Sequence, residues 1–147
     1  GIIATWRMAL EGISKSRFYV KKITKSAADS IEEAIKAVED FEYYKSVGYG
    51  GLPNEEMEVE LDAAFMDGDT LEFGCVGGVK DFANPVSIAR SLMHYDANNF
   101  LVGQGAEKYA SRHGFERKTM LTDRAKIHYH NRTKEITNTE LKPYSRT

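Results

Sequence analysis

Apolar side chains recur at helical spacing between residues 27 and 41, where Ile31, Ala34, Ile35, Val38 and Phe41 fall on one stripe. Ser26 stands before the stripe as a candidate N-cap and Asp29 sits in the first turn, so the pattern predicts a helix over 27–41. A stripe this regular needs a surface to lie on, and a sheet is the expected one. Further along, Val59, Leu61, Ala63 and Phe65 alternate with Glu58, Glu60, Asp62 and Ala64, and Asp67-Gly68-Asp69-Thr70 then supplies turn chemistry. Leu71, Phe73 and Cys75 resume the alternation, which predicts a hairpin. Gly74, Gly77 and Gly78 in its returning strand remove side chains where another backbone or a bend comes close. Asn84-Pro85 reads as an N-cap with proline at the first helical position, opening a stripe of Ile88, Ala89, Leu92 and Met93. Phe100-Leu101-Val102 reads as a short buried strand. Gly103 leads into a further helix through Ala106, Tyr109 and Ala110, with Gly114 at C′. At the front, Ile2 to Thr5 reads as a short buried strand ending at Trp6, followed by a helical turn or two over residues 7–12.

The character changes after residue 114. Residues 115–147 hold eight Lys or Arg against four Asp or Glu, six of these residues are Thr, and apolar periodicity fades. The expected organisation is therefore a folded part over 1–114 and a basic, Thr-rich linker or loosely held tail over 115–147. Over the whole 147-residue chain the net charge is only −2, too balanced for recognition of nucleic acid or a membrane by bulk electrostatics. The longest apolar run is about four residues, far below the roughly 18 that span a bilayer. A single cysteine, Cys75, makes no intrachain disulfide and fits a reducing, cytoplasmic home. The first residue is Gly rather than Met, which reads as a front that was processed, renumbered or trimmed.

Candidate chemistry is sparse. Cys75 lies in an alternating strand with no base beside it and reads as a buried packing thiol. His128 and His130 lack a third metal ligand nearby, and His94 and His113 stand alone near helix ends. Asp62 and Asp67 resemble an acid and base pair, but a polar hairpin face and a turn explain them. The run Ser46-Val47-Gly48-Tyr49-Gly50-Gly51 lacks the Lys-Ser or Lys-Thr ending of a phosphate loop. Its glycines point instead to positive-φ backbone, with Ser46 and nearby amides facing something close. Trp6 sits where a first strand ends, at the edge of a cleft or in the core. Residue chemistry alone therefore supports an α+β domain without a complete catalytic set, which leaves open a non-catalytic ligand-binding module.

Several separate blocks together carry more. Ser46-Val-Gly-Tyr-Gly-Gly-Leu-Pro-Asn54, Val59-Glu-Leu-Asp-Ala-Ala-Phe-Met-Asp-Gly68, Gly74-Cys-Val-Gly-Gly78, Asn84-Pro-Val-Ser-Ile-Ala-Arg90 and Leu101-Val-Gly-Gln-Gly-Ala106 resemble, in order and spacing, the α chain of glycosylasparaginase. That family belongs to the N-terminal nucleophile hydrolases. The resemblance implies one half of a four-layer αββα sandwich, completed by a β chain that the same precursor yields by self-cleavage. It implies a nucleophilic Thr opening that β chain, so that no catalytic residue lies in residues 1–147. Neither metal nor organic cofactor is implied. Thr5-Trp6 matches the family's Thr-Trp and implies that Trp6 borders the substrate; Ser46 matches the Ser that opens the Ser-Val-Gly block and implies a supporting hydrogen bond near the bound aspartyl group. The same resemblance implies a small asparagine-type substrate and a dimer of αβ units. The Thr-Trp pair favours the glycosylasparaginase branch over the isoaspartyl peptidase and plant-type asparaginase branch, which stays as the alternative. The family's His-Asp before the cleaved Thr is not found at Tyr144-Ser145-Arg146-Thr147. The short tail resembles a trimmed, bacterial version.

Overall fold

A computed structural model describes residues 1–20 and 26–138. Its elements are α1 (Ala9–Val20), α2 (Ala27–Glu39), β1 (Leu61–Met66), β2 (Phe73–Val79), α3 (Pro85–Leu92), β3 (Phe100–Val102), α4 (Gly103–Arg112) and α5 (Asp123–Asn138). The three strands form one sheet in the order β1-β2-β3, with β1 antiparallel and β3 parallel to β2. The chain is α+β, as the patterning implies.

Strand register decides which face is covered. Phe65 pairs with Gly74, Ala63 with Val76, and Val76 with Leu101, so these residues share one face of the sheet. Helix α3 lies across β1 and β2 on that face, and α4 packs beside it. Val86, Ile88, Ala89 and Leu92 of α3 join Phe65, Val76 and Val79 in a core that Ala106, Tyr109 and Ala110 extend. Each large apolar side chain buried there contributes about 1.5–3 kcal/mol relative to exposure. Close approach depends on Gly74: a Cβ there would stand 2.0 Å from the carbonyl oxygen of Ala89.

Helix α2 starts where the sequence places it. Ser26 Oγ accepts the Asp29 N–H at 3.2 Å while Asp29 Oδ2 accepts the Ser26 N–H at 3.0 Å, a complete capping box. The helix ends at Glu39, two residues short of the expected Phe41, because the Asp40 and Phe41 amides fold back onto the carbonyls of Lys36 and Val38. Its apolar stripe does not rest on the sheet. It lies along α1 and touches α3, and a Cβ on Gly12 would meet the Ala34 carbonyl oxygen at 2.2 Å. Polar contacts add to this seam: Arg90 of α3 pairs with Glu32 and, at 2.7 Å, with Asp29, and Ser87 donates to Glu32. The Arg90 hydrogen bond holds the Asp29 carboxyl below its ordinary range.

Four further expectations need correction. Residues 2–5 form no strand; Ile3 is 97% exposed. An extended segment becomes a strand only where a neighbour takes its hydrogen bonds, and none of the described strands does so. On β2 the buried positions are Gly74, Val76 and Val79, while Leu71 and Phe73 are exposed and Cys75 is half-buried. The loop from 67 to 72 sets Met66 opposite Phe73, which turns the odd positions away from α3. Phe100 and Val102 share that outward face, so β3 is a strand but not a buried one.

The fourth concerns the stretch after Gly114, which is anchored where a loose tail is expected. The Ala83 N–H bonds the Glu116 carbonyl at 3.0 Å, Lys118 N–H bonds the Asp81 carbonyl at 3.0 Å, and Met120 is buried with Val59 and Leu61. Thr122 Oγ1 then accepts the Ala125 N–H as α5 begins. Residues 139–147, including the Tyr144 to Thr147 end, lie outside the described residues.

Candidate functional site

Glycines bend residues 46–50 back onto the end of α2. At Gly48 φ is +59°, and a Cβ would lie 2.1 Å from the carbonyl oxygen of Glu39, which also accepts the Tyr49 N–H at 2.7 Å. The partner that comes close to this loop is therefore the last turn of α2. From the other side, the Gly50 N–H bonds the Met120 carbonyl at 2.9 Å and the Lys118 ammonium sits 4.0 Å over the Tyr49 ring. Ser46 itself is exposed and stands on the wall of a cavity of about 370 Å³ with Glu39, Gly48, Asp62 and Val86.

Glu39 is the residue that sequence reasoning missed. The residue is only 6% exposed. Oε1 accepts the Val86 N–H at 3.2 Å and Oε2 accepts the Asn84 amide at 3.3 Å, while that amide also donates to Asp40 Oδ1 at 3.0 Å. Asn84 does precede α3 and Pro85 does open it, but Asn84 adopts a left-handed backbone and its side chain makes no cap bond. Glu39 caps the helix in its place. Burial pushes its carboxyl up to about 7 against the lowering effect of these hydrogen bonds, with Asp40 and Glu32 adding repulsion. A signal existed: Glu39 follows Ile35 by four residues, which places a carboxylate beside the apolar stripe of α2.

The consequence for stability has a definite sign. In the unfolded chain the carboxyl ionises at its ordinary 4.5, so between pH 4.5 and 7 the fold retains a proton that the unfolded chain has released. Stability therefore declines as pH rises through that window, by about 3 kcal/mol in all. Glu39→Gln is expected to flatten this part of the profile, checked by urea unfolding of the full-length protein from pH 4 to 8.

Trp6 lies elsewhere. It is 70% exposed and lines a second, apolar cavity of about 410 Å³ with Ile13, Ile31 and Ala34. Ile35 and Val38 border both cavities, so Trp6 and Ser46 flank the same stripe of α2 without sharing a pocket. The structure brings Ser46 to Glu39 and does not bring Trp6 to Ser46.

The remaining candidates take structural places. Asp67 Oδ1 accepts the Asp69 N–H at 2.8 Å within the turn, and Asp62 Oδ1 accepts the Gly78 N–H at 2.8 Å beside an irregular register in the hairpin. His128 and His130 are two apart on a helix, hence on different faces, and no group of metal-ligating residues occurs among the described residues. Partial desolvation, Lys45 and Arg124 lower the His128 pKa. His113 stacks on Tyr109 at 3.9 Å at the end of α4, and His94 is exposed, 3.7 Å from Glu72. Among the described residues no helix is long and apolar enough to cross a membrane.

The fold thus presents an α+β unit in which the glycine loop after Ser46 and the start of α3 meet at the end of α2. A family model described as asparaginase matches residues 3–146. The chain belongs to the asparaginase family. It is 36% identical over 124 residues to an isoaspartyl peptidase/L-asparaginase of Rattus norvegicus, covering 80% of this chain and 37% of that protein. It is 35% identical over 121 residues to an N(4)-(beta-N-acetylglucosaminyl)-L-asparaginase of Elizabethkingia miricola, covering 82% and 35%. A plant-type L-asparaginase of Thermococcus kodakarensis is 41% identical over 98 residues, covering 67% and 32%. The chain spans about a third of the length of these curated relatives.

Proposed function

We propose that the chain is the α-chain part of an amidohydrolase that cleaves the side-chain amide of asparagine, glycosylated asparagine included, to give aspartate. The observation that carries this reading beyond family membership is the outward face of the sheet. Ala64, Met66, Phe73, Cys75, Phe100 and Val102 share it, and no described helix covers it. An apolar surface of this kind calls for a second sheet, whose own outer helices complete a four-layer αββα sandwich. The β chain of the same precursor is the natural source of that sheet, with residues 115–147 leading to the self-cleavage site and the αβ unit pairing again.

The nucleophile is then the Thr hydroxyl that opens the β chain. Its own α-amino group takes the hydroxyl proton as the oxygen attacks the side-chain carbonyl of the substrate. The tetrahedral intermediate collapses with departure of the protonated amine, leaving an aspartyl ester that water hydrolyses. Such chemistry needs neither metal nor organic cofactor. Trp6 borders the substrate, and Ser46 supplies a hydrogen bond near the aspartyl group. Trp6→Ala in the assembled enzyme should raise KM about tenfold, equivalent to about 1.4 kcal/mol of lost apolar contact. Steady-state kinetics check this, and an unchanged KM removes Trp6 from the site.

A second reading within the same chemistry, an isoaspartyl peptidase and L-asparaginase, draws on the relatives of those names, which are 36% and 41% identical to this chain, against 35% for the glycosylasparagine-directed relative. Comparing kcat/KM of the full-length enzyme on glycosylasparagine, free asparagine and an isoaspartyl dipeptide separates the two. Hydrolysis of none of them contradicts both.

A further inference from the structure

Glu39 takes no part in the chemistry proposed above, yet it is the only carboxylate among the buried described residues and it joins three parts of the fold. Its backbone carbonyl seats the loop that carries Ser46, through the Tyr49 N–H and the bare Cα of Gly48. Its carboxylate holds the Val86 N–H in the first turn of α3 and the side chain of Asn84. Tension on that side chain reaches the loop through the backbone of residue 39.

We propose that Glu39 is a positioning residue for the Ser46 loop: with both oxygens accepting hydrogen bonds it fixes the end of α2 against α3 and so sets Ser46 on the cavity wall, and with a proton on one oxygen it relaxes that hold. Its functional meaning rests on the amide-hydrolysing reading. Val86 N–H and the Asn84 amide are both donors, so a neutral carboxyl that turns one oxygen into a donor faces a donor there and loses a bond. The charges around it work against ionisation. Glu32 comes from α2 and Asp40 from its C-cap, and Glu60 and Asp62 line the same cavity just before and within β1. Among the described residues none lining that cavity is cationic, and Arg90 of α3 is engaged with Asp29 and Glu32. Burial above all, with the repulsion of Asp40 and Glu32 added, pushes its carboxyl up to about 7.

Glu39→Gln keeps an acceptor for Val86, cannot ionise and presents a donor to Asn84, so it imitates the protonated state. The test follows the Gly48 and Tyr49 amide signals of 15N-labelled full-length protein from pH 5 to 9, together with KM for the amide substrate. In the wild type both signals should move with one midpoint near 7 and KM should fall about fivefold across it, as one hydrogen bond is regained. In E39Q the signals should stay at their low-pH positions and KM should be high and flat. Wild-type signals that stay still, or that move alike in E39Q, overturn the proposal, as does a KM that ignores the midpoint. Should E39Q fail to fold, N84A removes a donor that favours the charged form and should raise the midpoint; an unmoved midpoint is equally contrary. Loop signals that follow Glu39 in a protein that hydrolyses no asparagine-type amide support the coupling and overturn only the reaction.

Discussion

Gly74→Ala should leave the full-length protein with an apparent Tm lower by on the order of 10 °C, or prevent its soluble accumulation altogether. The added Cβ would meet Ala89 O at 2.0 Å, Met93 N at 2.8 Å and the Leu92 Cβ at 2.9 Å, atoms of α3 and its C-cap that no rotamer change can move. Relief therefore requires α3 to lift from β2, opening the contacts of Ile88, Ala89 and Leu92, which are fully buried. Overpacking of this kind costs about 3 kcal/mol or more, which for a protein of this class corresponds to the stated shift. Differential scanning calorimetry checks it. A Tm within about 2 °C of wild type would mean that α3 does not lie on the strand as described.

The double substitution Phe73→Asp with Phe100→Asp should abolish assembly and activity while leaving the core under α3 intact. Both rings stand on the outward face, on adjacent strands, 45% and 55% exposed. Within this chain the carboxylates stay in water. Once a second sheet covers the face they become buried and unpaired, at a cost of several kcal/mol each. Leu71→Asp is the control, because Leu71 is 67% exposed in the turn and has a left-handed backbone that Asp tolerates better. Size-exclusion chromatography and activity of the full-length protein should separate the two: loss for the double variant, near wild-type behaviour for the control. Equal behaviour of both would show that the sheet face is not an interface.

Much of the scaffold was legible because it follows local rules. The Ser26 and Asp29 capping box, the Asp67 turn and the Gly114 ending are each determined by residues a few positions apart. The phase of β2 was not legible, since the returning strand alternates Phe73 and Cys75 with Gly74 and Val76 and only packing against α3 selects the glycine face. The anchoring of residues 115–125 was hidden for a similar reason: Met120 and Ala125 are buried singly, by contacts with distant segments that leave no periodic signature. The strand expected at Ile2 to Thr5 needs a neighbour that the described chain does not provide. At the candidate site, Ser46 and its glycines were readable as a loop under constraint, but what constrains them, the Glu39 backbone, depends on tertiary contact. Trp6 and Ser46 acquired their proposed roles only through resemblance, and the two cavities they line remain distinct.

The central claim is that this sheet is half of a catalytic unit whose attacking hydroxyl belongs to a second polypeptide from the same precursor. Intact-mass and N-terminal analysis of the purified, active product of the full-length gene tests it most directly. Two chains that travel together, the second beginning with threonine, are the expected result; a fully active single chain that remains uncut would contradict it.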